Sequence, residues 1–255
     1  MLTVARSTPW IVTHPQVGAG MRLICFPYAG GGASVFRSWG QNSMLSNVEV
    51  CAVQLPGREA RITEPPIEDL RHLVPLLREA LEPYLDRPFA LFGHSIGALL
   101  SFELARELRR TNGIEPRHLF VSGCPAPHLP PSERMCDLSE DEFLERLYRF
   151  NGTPSEVLNH PELMRMMLPA VRADFALRDR YDYKDEPPVS CPITAFGGMA
   201  DTHVDCAVLR AWREHTGDRF QLWLFQGDHF FMRSAQEPML ETLSAALSQQ
   251  QRINR

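Results

Sequence analysis

The fold of this 255-residue chain is decided by residues 89–100, which read FALFGHSIGALL. A short apolar run leads into the pentapeptide GHSIG (93–97), and helical spacing follows over residues 98–110. This order predicts a buried strand, a sharp turn and a helix. Glycines on both sides of Ser95 relieve the crowding of a strained backbone. We therefore interpret the stretch as a nucleophile elbow, a turn that raises a serine hydroxyl above the end of a sheet.

Outside this stretch, short apolar runs alternate with amphipathic segments. We predict strands at residues 21–26, 48–55, 89–93, 118–123, 191–197 and 220–225. Helices are predicted at residues 35–45, 68–85, 98–110, 204–216 and 234–249. Alternating strands and helices are typical of a mostly parallel sheet with helices on both faces, so the expected fold class is α/β.

Residues 125–189 interrupt this alternation, because they carry no strand signal. The segment opens and closes with prolines and holds two helical stretches, 138–150 and 161–179. Ser139 precedes Asp141 and Glu142 as a helix cap would. A structured insertion of this length predicts a helical cap over the active site of a single domain spanning residues 1–255. The alternative is a surface decoration without a gating role.

Composition and charge narrow the classes of protein. The chain is 44% hydrophobic and 22% charged, which is ordinary for a globular protein with one core. A net charge of −5 does not indicate nucleic-acid binding. The N-terminus shows no secretory signal, and no apolar run approaches the roughly 18 residues of a membrane span, so no membrane association is expected. The six cysteines form no C-x-x-C pair, which suits free thiols in a reducing cytoplasm.

Two later loops supply partners for Ser95. A catalytic serine needs a base to accept its proton and an acid to orient that base. Asp201 follows the predicted strand 191–197, and His229 follows the predicted strand 220–225. Functional side chains collect at the carboxyl ends of parallel strands, and the chain order Ser, Asp, His is that of doubly wound hydrolases. We predict Ser95 as nucleophile, His229 as base and Asp201 as the orienting acid.

Nearby residues offer alternatives to these assignments. His203 lies close to Asp201 but in a different loop from the expected base. His94 lies inside the elbow, where packing beside the nucleophile is the expected role. Asp205 begins a predicted helix and suits an N-terminal cap. Asp228 adjoins His229, and we expect it to bond the loop backbone or solvent.

An oxyanion hole requires two backbone N–H donors. Ile96, which follows the nucleophile, supplies one, and the loop FPYAGGGAS (26–34) supplies the other from Tyr28 or Ala29. The glycines would let a substrate oxygen approach the backbone closely, although a plain glycine turn is the alternative. The loop matches neither G-x-x-x-x-G-K-[ST] nor a G-x-G-x-x-G that opens a helix, which argues against phosphate binding. No zinc-ligand spacing occurs, so no metal or cofactor is indicated.

Several segments resemble those of type II thioesterases, the α/β-hydrolase enzymes that accompany nonribosomal peptide and polyketide synthases. In chain order they are FPYAGG (26–31), QLPGRE (54–59), GHSIG (93–97), residues 143–154 with NGTP at 151–154, FGGMAD (196–201) and GDHFF (227–231). The elbow is common to the superfamily, whereas the first two segments are far more specific. Asn151 stands where the family more often has glycine, a departure that lies in the cap and does not involve the triad.

The resemblance implies an α/β-hydrolase fold with a helical cap. It also implies hydrolysis of acyl groups from the phosphopantetheine thiol of carrier proteins, by an acyl-enzyme mechanism that clears wrongly primed or stalled chains. The substrate brings the phosphopantetheine, so the enzyme needs no cofactor of its own. The implied partners are acyl or peptidyl carrier domains, and we expect a cytoplasmic monomer. Two alternatives stay open: a small-molecule carboxylesterase with the same triad, and an inactive module that binds carrier proteins.

Apolar residues at helical spacing mark the cap face that would cover the cleft. We predict an acyl pocket formed by Phe143, Leu147, Met166, Met167 and Ala170, since methionine adapts to acyl chains of varied shape. The cap also carries several arginines. They could dock an acidic carrier protein, and a solvated helix face is the alternative.

Overall fold

The computed structural model describes residues 8–131, 133–150 and 160–253, and within them the chain forms a seven-stranded sheet. The strands are β1 (Ile11–His14), β2 (Met21–Phe26), β3 (Val48–Val53), β4 (Phe89–His94), β5 (Leu119–Ser122), β6 (Ile193–Gly198) and β7 (Phe220–Phe225). Their order across the sheet is β1-β3-β2-β4-β5-β6-β7. β1 pairs antiparallel with β3, and the other neighbouring strands are parallel. The predicted α/β class with a mostly parallel sheet is confirmed.

Helices cover both faces of this sheet. The α-helices of the described residues are α1 (Leu70–Leu81), α2 (Ile96–Asn112), α3 (Glu140–Phe150), α4 (Pro161–Asp179), α5 (Cys206–Arg210), α6 (Phe231–Ser234) and α7 (Gln236–Ile253). Successive side chains of a strand point to opposite faces. Ile24 on β2 accordingly shares an apolar cluster with Leu77 of α1 and Leu100 of α2, whereas Leu23 shares another with Leu243 of α7. The core therefore lies in two layers, one on each side of the sheet.

Two sequence-based assignments near the N-terminus need correction. β1 was not predicted, and it adds an edge strand in which Ile11 pairs with Val53. The predicted helix 35–45 is instead three 3₁₀ turns, Ala33–Phe36, Trp39–Gln41 and Ser43–Leu45. The buried residues Ala33, Phe36 and Trp39 recur every third position, which fits the three residues per turn of a 3₁₀-helix.

The remaining predicted helices form with shifted ends. α1 is followed by a 3₁₀ turn, Glu82–Tyr84, and α5 by another, Ala211–His215. The predicted helix 234–249 corresponds to α7, and the short helix α6 precedes it. These shifts leave the connections between strands where the sequence placed them.

The cap segment supplies α3 and α4, between β5 and β6. Phe143 and Leu147 of α3 pack in one apolar cluster with four α4 residues: Met164, Leu168, Val171 and Phe175. The helices predicted at 138–150 and 161–179 are thus present. The NGTP segment at 151–154, with Asn151, lies outside the described residues.

No helix within the described ranges is both long and apolar enough to cross a membrane. All six cysteines are free, and four of them, Cys25, Cys51, Cys124 and Cys191, are buried. Burial disfavours the thiolate and raises the pKa of Cys124 to about 11 and that of Cys191 to about 12. These thiols act as packing groups in the core.

Candidate active site

Ser95 occupies a strained turn between β4 and α2. Its backbone has φ 54° and ψ −123°, in the positive-φ region that non-glycine residues rarely adopt. A Cβ atom on Gly93 would collide with the backbone of Gly97, and one on Gly97 would collide with the carbonyl oxygen of Phe26. The Ser95 amide donates to the Ser122 carbonyl at 2.7 Å. The two glycines and this bond hold the serine at the carboxyl end of the sheet.

Asp201 and His229 meet across two neighbouring loops, after β6 and β7. His229 Nδ1 lies 2.8 Å from Asp201 Oδ2, and their side chains are 5% and 0% exposed. Asp201 Oδ1 accepts the amides of His203 and Val204 at 2.8 and 3.1 Å. Burial raises the pKa of Asp201, but the His229 hydrogen bond and charge and the two amides outweigh it and leave the pKa below its usual value. Since an ionised carboxylate can only accept, His229 carries its proton on Nδ1 and its Nε2 is free to accept one.

One cavity of about 300 Å³ brings these groups together. Ser95 and His229 both line it, as do the three predicted oxyanion-hole residues Tyr28, Ala29 and Ile96. The sequence-predicted nucleophile, base and oxyanion loop therefore share a single cavity, with Asp201 behind the base.

The alternative acids and the alternative base have contacts of their own, although His203 also lines the cavity. The Asp205 side chain caps α5, accepting the amides of Ala207 and Val208. Asp228 Oδ1 accepts the Phe230 amide at 2.8 Å, as expected for a loop residue. The ring of His203 stacks on Phe150 of α3, with 4.0 Å between ring centroids.

His94 is fully buried beside the base. Its Nδ1 lies 2.8 Å from Ser122 Oγ, and its ring centroid lies 5.2 Å from that of His229. Burial lowers the pKa of His94 well below its usual value, and the charge of His229 adds to this effect. A Cβ atom on Gly123 would lie 2.8 Å from the His94 ring and 3.3 Å from the His229 ring. Gly123 thus leaves room for a neutral imidazole that packs against the base.

The orientation of the oxyanion loop follows from its hydrogen bonds. The Tyr28 carbonyl accepts the Gly31 amide at 2.9 Å, which closes a turn with Gly30 at φ 75°. In a trans peptide the N–H points opposite to the C=O, so the Ala29 amide points out of this turn. Among the described residues the Ala29 amide has no acceptor. Ile96 is the first residue of α2, where amides lack an intrahelical acceptor. Ala29 and Ile96 therefore each offer an amide without a backbone acceptor beside the cavity, and within the described part of the chain the Tyr28 amide also has no backbone acceptor.

Sequence reasoning missed the partners of this loop. Gln54 Oε1 accepts the Ala33 amide at 2.8 Å, and Gln54 Nε2 donates to the Arg58 carbonyl at 3.0 Å. Arg58 forms a buried ion pair with Asp174 of α4. The segment QLPGRE had already stood out as specific, and its contacts explain why these residue types stand there.

The structure places the five residues predicted to form the acyl pocket in different surroundings. Leu147 lines the cavity, but Phe143 is buried inside the cap. Met166 is 56% exposed on the outer surface of α4. Met167 and Ala170 line a separate hollow of about 270 Å³ on the other side of the oxyanion loop. The α4 residues that face α3 are those at positions 164, 168, 171 and 175, so the other apolar residues point elsewhere. Phe150 joins Leu147 in the cavity wall.

A mostly parallel sheet with a serine at a strand-to-helix elbow and a His–Asp pair on later loops defines the α/β-hydrolase class. A family profile described as "Thioesterase domain" matches residues 21–247, and the chain belongs to this family. It is a serine hydrolase that acts on thioesters. No group of three or more metal-ligating side chains occurs in the part of the chain that the structure describes.

Individual relatives agree with this membership. The chain is 48% identical over 243 residues to the linear gramicidin dehydrogenase LgrE of Brevibacillus parabrevis, covering 93% of this chain and 92% of the relative. It is 43% identical over 249 residues to the gramicidin S biosynthesis protein GrsT of Aneurinibacillus migulanus, covering 97% of each. The solved structure of the type II thioesterase BorB from the borrelidin biosynthetic cluster superposes with a TM-score of 0.85 at 37% identity, covering 93% of this chain and 97% of that one. The resemblance to type II thioesterases is confirmed.

Proposed function

We propose that this thioesterase releases acyl groups from the phosphopantetheine arm of carrier protein domains, with Ser95 as nucleophile, His229 as base and Asp201 as orienting acid. The observation that carries the proposal is the 2.8 Å contact between His229 and Asp201 beside a cavity that Ser95 also lines. The similarity to BorB, whose name states a type II thioesterase of a biosynthetic cluster, supports the substrate class.

In the acylation step, His229 Nε2 accepts the Ser95 proton while the serine oxygen attacks the thioester carbonyl. Asp201 holds the Nδ1 proton and stabilises the imidazolium. The amides of Ala29 and Ile96 donate to the carbonyl oxygen as it becomes an oxyanion. The carbon–sulfur bond then breaks, the thiol leaves with the proton from His229, and an acyl ester remains on Ser95.

In the deacylation step, His229 takes a proton from water as the water oxygen attacks the acyl ester. The same two amides hold the second oxyanion. Its collapse breaks the bond to Ser95 Oγ, which recovers its proton from His229. One water is consumed, and one thiol and one carboxylic acid are produced over the cycle.

One exposed part of the cap offers a surface for docking an acidic carrier protein. Three of its arginines are already engaged with acids, in the pairs Arg146–Glu133, Arg149–Glu145 and Arg180–Glu68. Arg165 is exposed on α4 and has no ion pair among the described residues. It stands beside the exposed side chains of Leu163 and Met166. We infer that this mixed basic and apolar surface is where the carrier protein contacts the cap. That the protein is a cytoplasmic monomer stays a prediction.

The test compares the hydrolysis of three substrates: acyl-loaded carrier proteins and free acyl-pantetheine thioesters, followed by thiol release, and p-nitrophenyl esters, followed by p-nitrophenol release. We expect preference for the thioesters, and Ser95→Ala should lower kcat on the order of 10⁴-fold or more. Activity of Ser95→Ala near wild type would overturn the triad. Faster turnover of oxyesters would indicate a carboxylesterase, and no turnover at all an inactive binding module.

A further inference from the structure

A buried ion pair joins the cap to the oxyanion loop. Arg58 Nη1 and Nη2 donate to Asp174 Oδ2 and Oδ1 at 2.5 and 2.9 Å, which is the two-pronged geometry that a guanidinium and a carboxylate favour. Arg58 is 5% exposed and Asp174 is 1% exposed. A pair this deeply buried gains little net stability over an apolar pair of the same volume, because both charges lose their hydration. Its contacts point to a different role.

Both partners also hold the turn that carries Ala29. Asp174 Oδ2 accepts the Gly30 amide at 2.8 Å, and Arg58 Nη1 donates to the Gly31 carbonyl at 3.3 Å. The Gly30 amide belongs to the peptide that begins at the Ala29 carbonyl. Fixing that peptide plane fixes one side of Ala29, and the Tyr28–Gly31 bond of the turn fixes the other. The direction of the Ala29 N–H is thereby determined.

Arg58 is itself anchored through both its backbone and its side chain. Gln54 donates to the Arg58 carbonyl, and the Arg58 Nε donates to the Pro56 carbonyl at 3.2 Å. α4 approaches the same loop closely, since a Cβ atom on Gly30 would lie 2.6 Å from Val171 Cγ2. The ion pair therefore connects two rigid elements rather than two mobile side chains.

We propose that Arg58 and Asp174 are positioning residues that aim the Ala29 amide at the oxyanion and make α4 part of the catalytic scaffold. The inference rests on the assignment of Ala29 as an oxyanion donor in the proposed function. Oxyanion stabilisation is sensitive to donor position, and the loss of one donor costs about 10²–10³ in kcat. A donor that remains but is misdirected loses part of this effect. Substrate binding in the ground state depends far less on it.

The main variant is Asp174→Asn, which keeps the shape of the side chain but presents an NH₂ group to a donor of Arg58 or Gly30. Asp174→Asn leaves a buried Arg58 without its counter-charge. A second variant, Arg58→Met with Asp174→Leu, therefore removes both charges and fills the space of the ion pair with apolar side chains. The matched control is Asp179→Asn. Asp179 is a buried acid on the same helix, and it accepts the Cys136 amide at 2.8 Å.

The experiment measures kcat and KM for a free acyl-pantetheine thioester, with the melting temperature of each variant. It also measures affinity for a trifluoromethyl ketone analogue, which forms an oxyanion on Ser95, and for a thioether analogue, which has no carbonyl. We expect kcat to fall about 10- to 100-fold in both test variants and ketone affinity to fall with it. KM and thioether affinity should stay within about twofold, as should all parameters of Asp179→Asn.

The proposal is overturned if a folded test variant keeps kcat within about threefold of wild type, or if both analogues weaken equally. Should Asp174→Asn fail to fold, the double variant decides alone, since it leaves no unpaired charge. Failure of the proposed function can be distinguished from failure of this inference. In the former case the wild-type enzyme would release no thiol, or Ser95→Ala would keep its activity.

Discussion

Asp201 and Asp205 lie four positions apart on one loop and serve different partners. Asp201 Oδ2 accepts from His229 Nδ1, whereas Asp205 Oδ1 accepts the first amides of α5. The same residue type therefore acts as the orienting acid at one position and as a helix cap at the other.

This difference predicts unequal effects of the same conservative change. Asp201→Asn should lower kcat on the order of 10³- to 10⁴-fold, because an amide no longer fixes the reactive tautomer of His229. Asp205→Asn is the matched control and should stay near wild type, since asparagine also caps helices well. Steady-state thiol release measures both. A larger loss in Asp205→Asn would show that the acid was wrongly assigned.

The cavity wall predicts which cap residue controls acyl selectivity. Leu147 is 7% exposed and lines the cavity, whereas Met166 is 56% exposed outside it. Leu147→Ala should raise kcat/KM for longer acyl chains relative to shorter ones about 5- to 20-fold, because it opens space worth roughly 1–2 kcal/mol of apolar contact. Met166→Ala should leave the ratio unchanged. Identical chain-length profiles for wild type and Leu147→Ala would contradict this role.

The exposed basic surface of α4 predicts a substrate-dependent effect of charge reversal. Arg165→Glu should raise KM several-fold for an acyl-loaded carrier protein at low salt and leave KM for a free acyl-pantetheine thioester unchanged. The difference should shrink at high salt, because exposed charges are screened. Arg71→Glu, on α1 with a side chain that is 91% exposed, is the matched control. Equal effects of Arg165→Glu on both substrates would show that this surface does not bind the carrier protein.

Buried histidines predict that the fold loses stability in mild acid. Burial lowers the pKa of His118 to about 3 and, with the charge of His128, that of His215 to about 4. Below the pKa of about 6.5 that histidine has in the unfolded chain, the unfolded chain binds protons that these two histidines do not bind in the folded chain. The free energy of unfolding therefore falls as the pH falls. The slope is about 1.4 kcal/mol per pH unit for each such histidine.

His118→Gln should reduce the slope of the unfolding free energy against pH by the contribution of about one proton. Urea denaturation midpoints between about pH 5 and 7 measure this slope. His118 Nε2 lies 2.8 Å from Thr194 Oγ1, a contact that a glutamine amide can replace. His72→Gln, at an exposed position on α1, serves as control. An unchanged slope in His118→Gln would mean that this ring is protonated in the folded state as well.

Local signals in the sequence were enough to predict the sheet and the elbow. The inner parallel strands β2 to β6 are largely apolar runs because both of their faces are buried, and such runs are visible without knowledge of the fold. The edge strand β7 is apolar in sequence but partly exposed. The edge strand β1 was missed because it is only four residues long and its outer residues are partly exposed. Ser95, Asp201 and His229 could be placed because each follows a strand whose end was already predicted.

Contacts between distant segments could not be predicted. Arg58 and Asp174 are separated by 116 positions, and neither stands in a pattern that indicates its partner. The cap residues that line the cavity could not be chosen from the sequence for a related reason. α4 carries apolar residues on more than one side, and only the packing of α3 decides which of them is buried. Helical periodicity identifies candidate faces but does not choose between them.

The position of Asp174 within the cap and of Arg58 outside it limits how such enzymes can be recombined. A chimaera that takes residues 125–189 from a relative must bring an acid to position 174, or the buried guanidinium of Arg58 is left without its counter-charge beside the oxyanion loop. Exchange of α3 alone (Glu140–Phe150) avoids this, because neither partner of the ion pair lies on that helix, while Arg146, Leu147, Arg149 and Phe150 of α3 line the cavity. New acyl specificity is therefore better sought by grafting the first cap helix than by transplanting the whole lid.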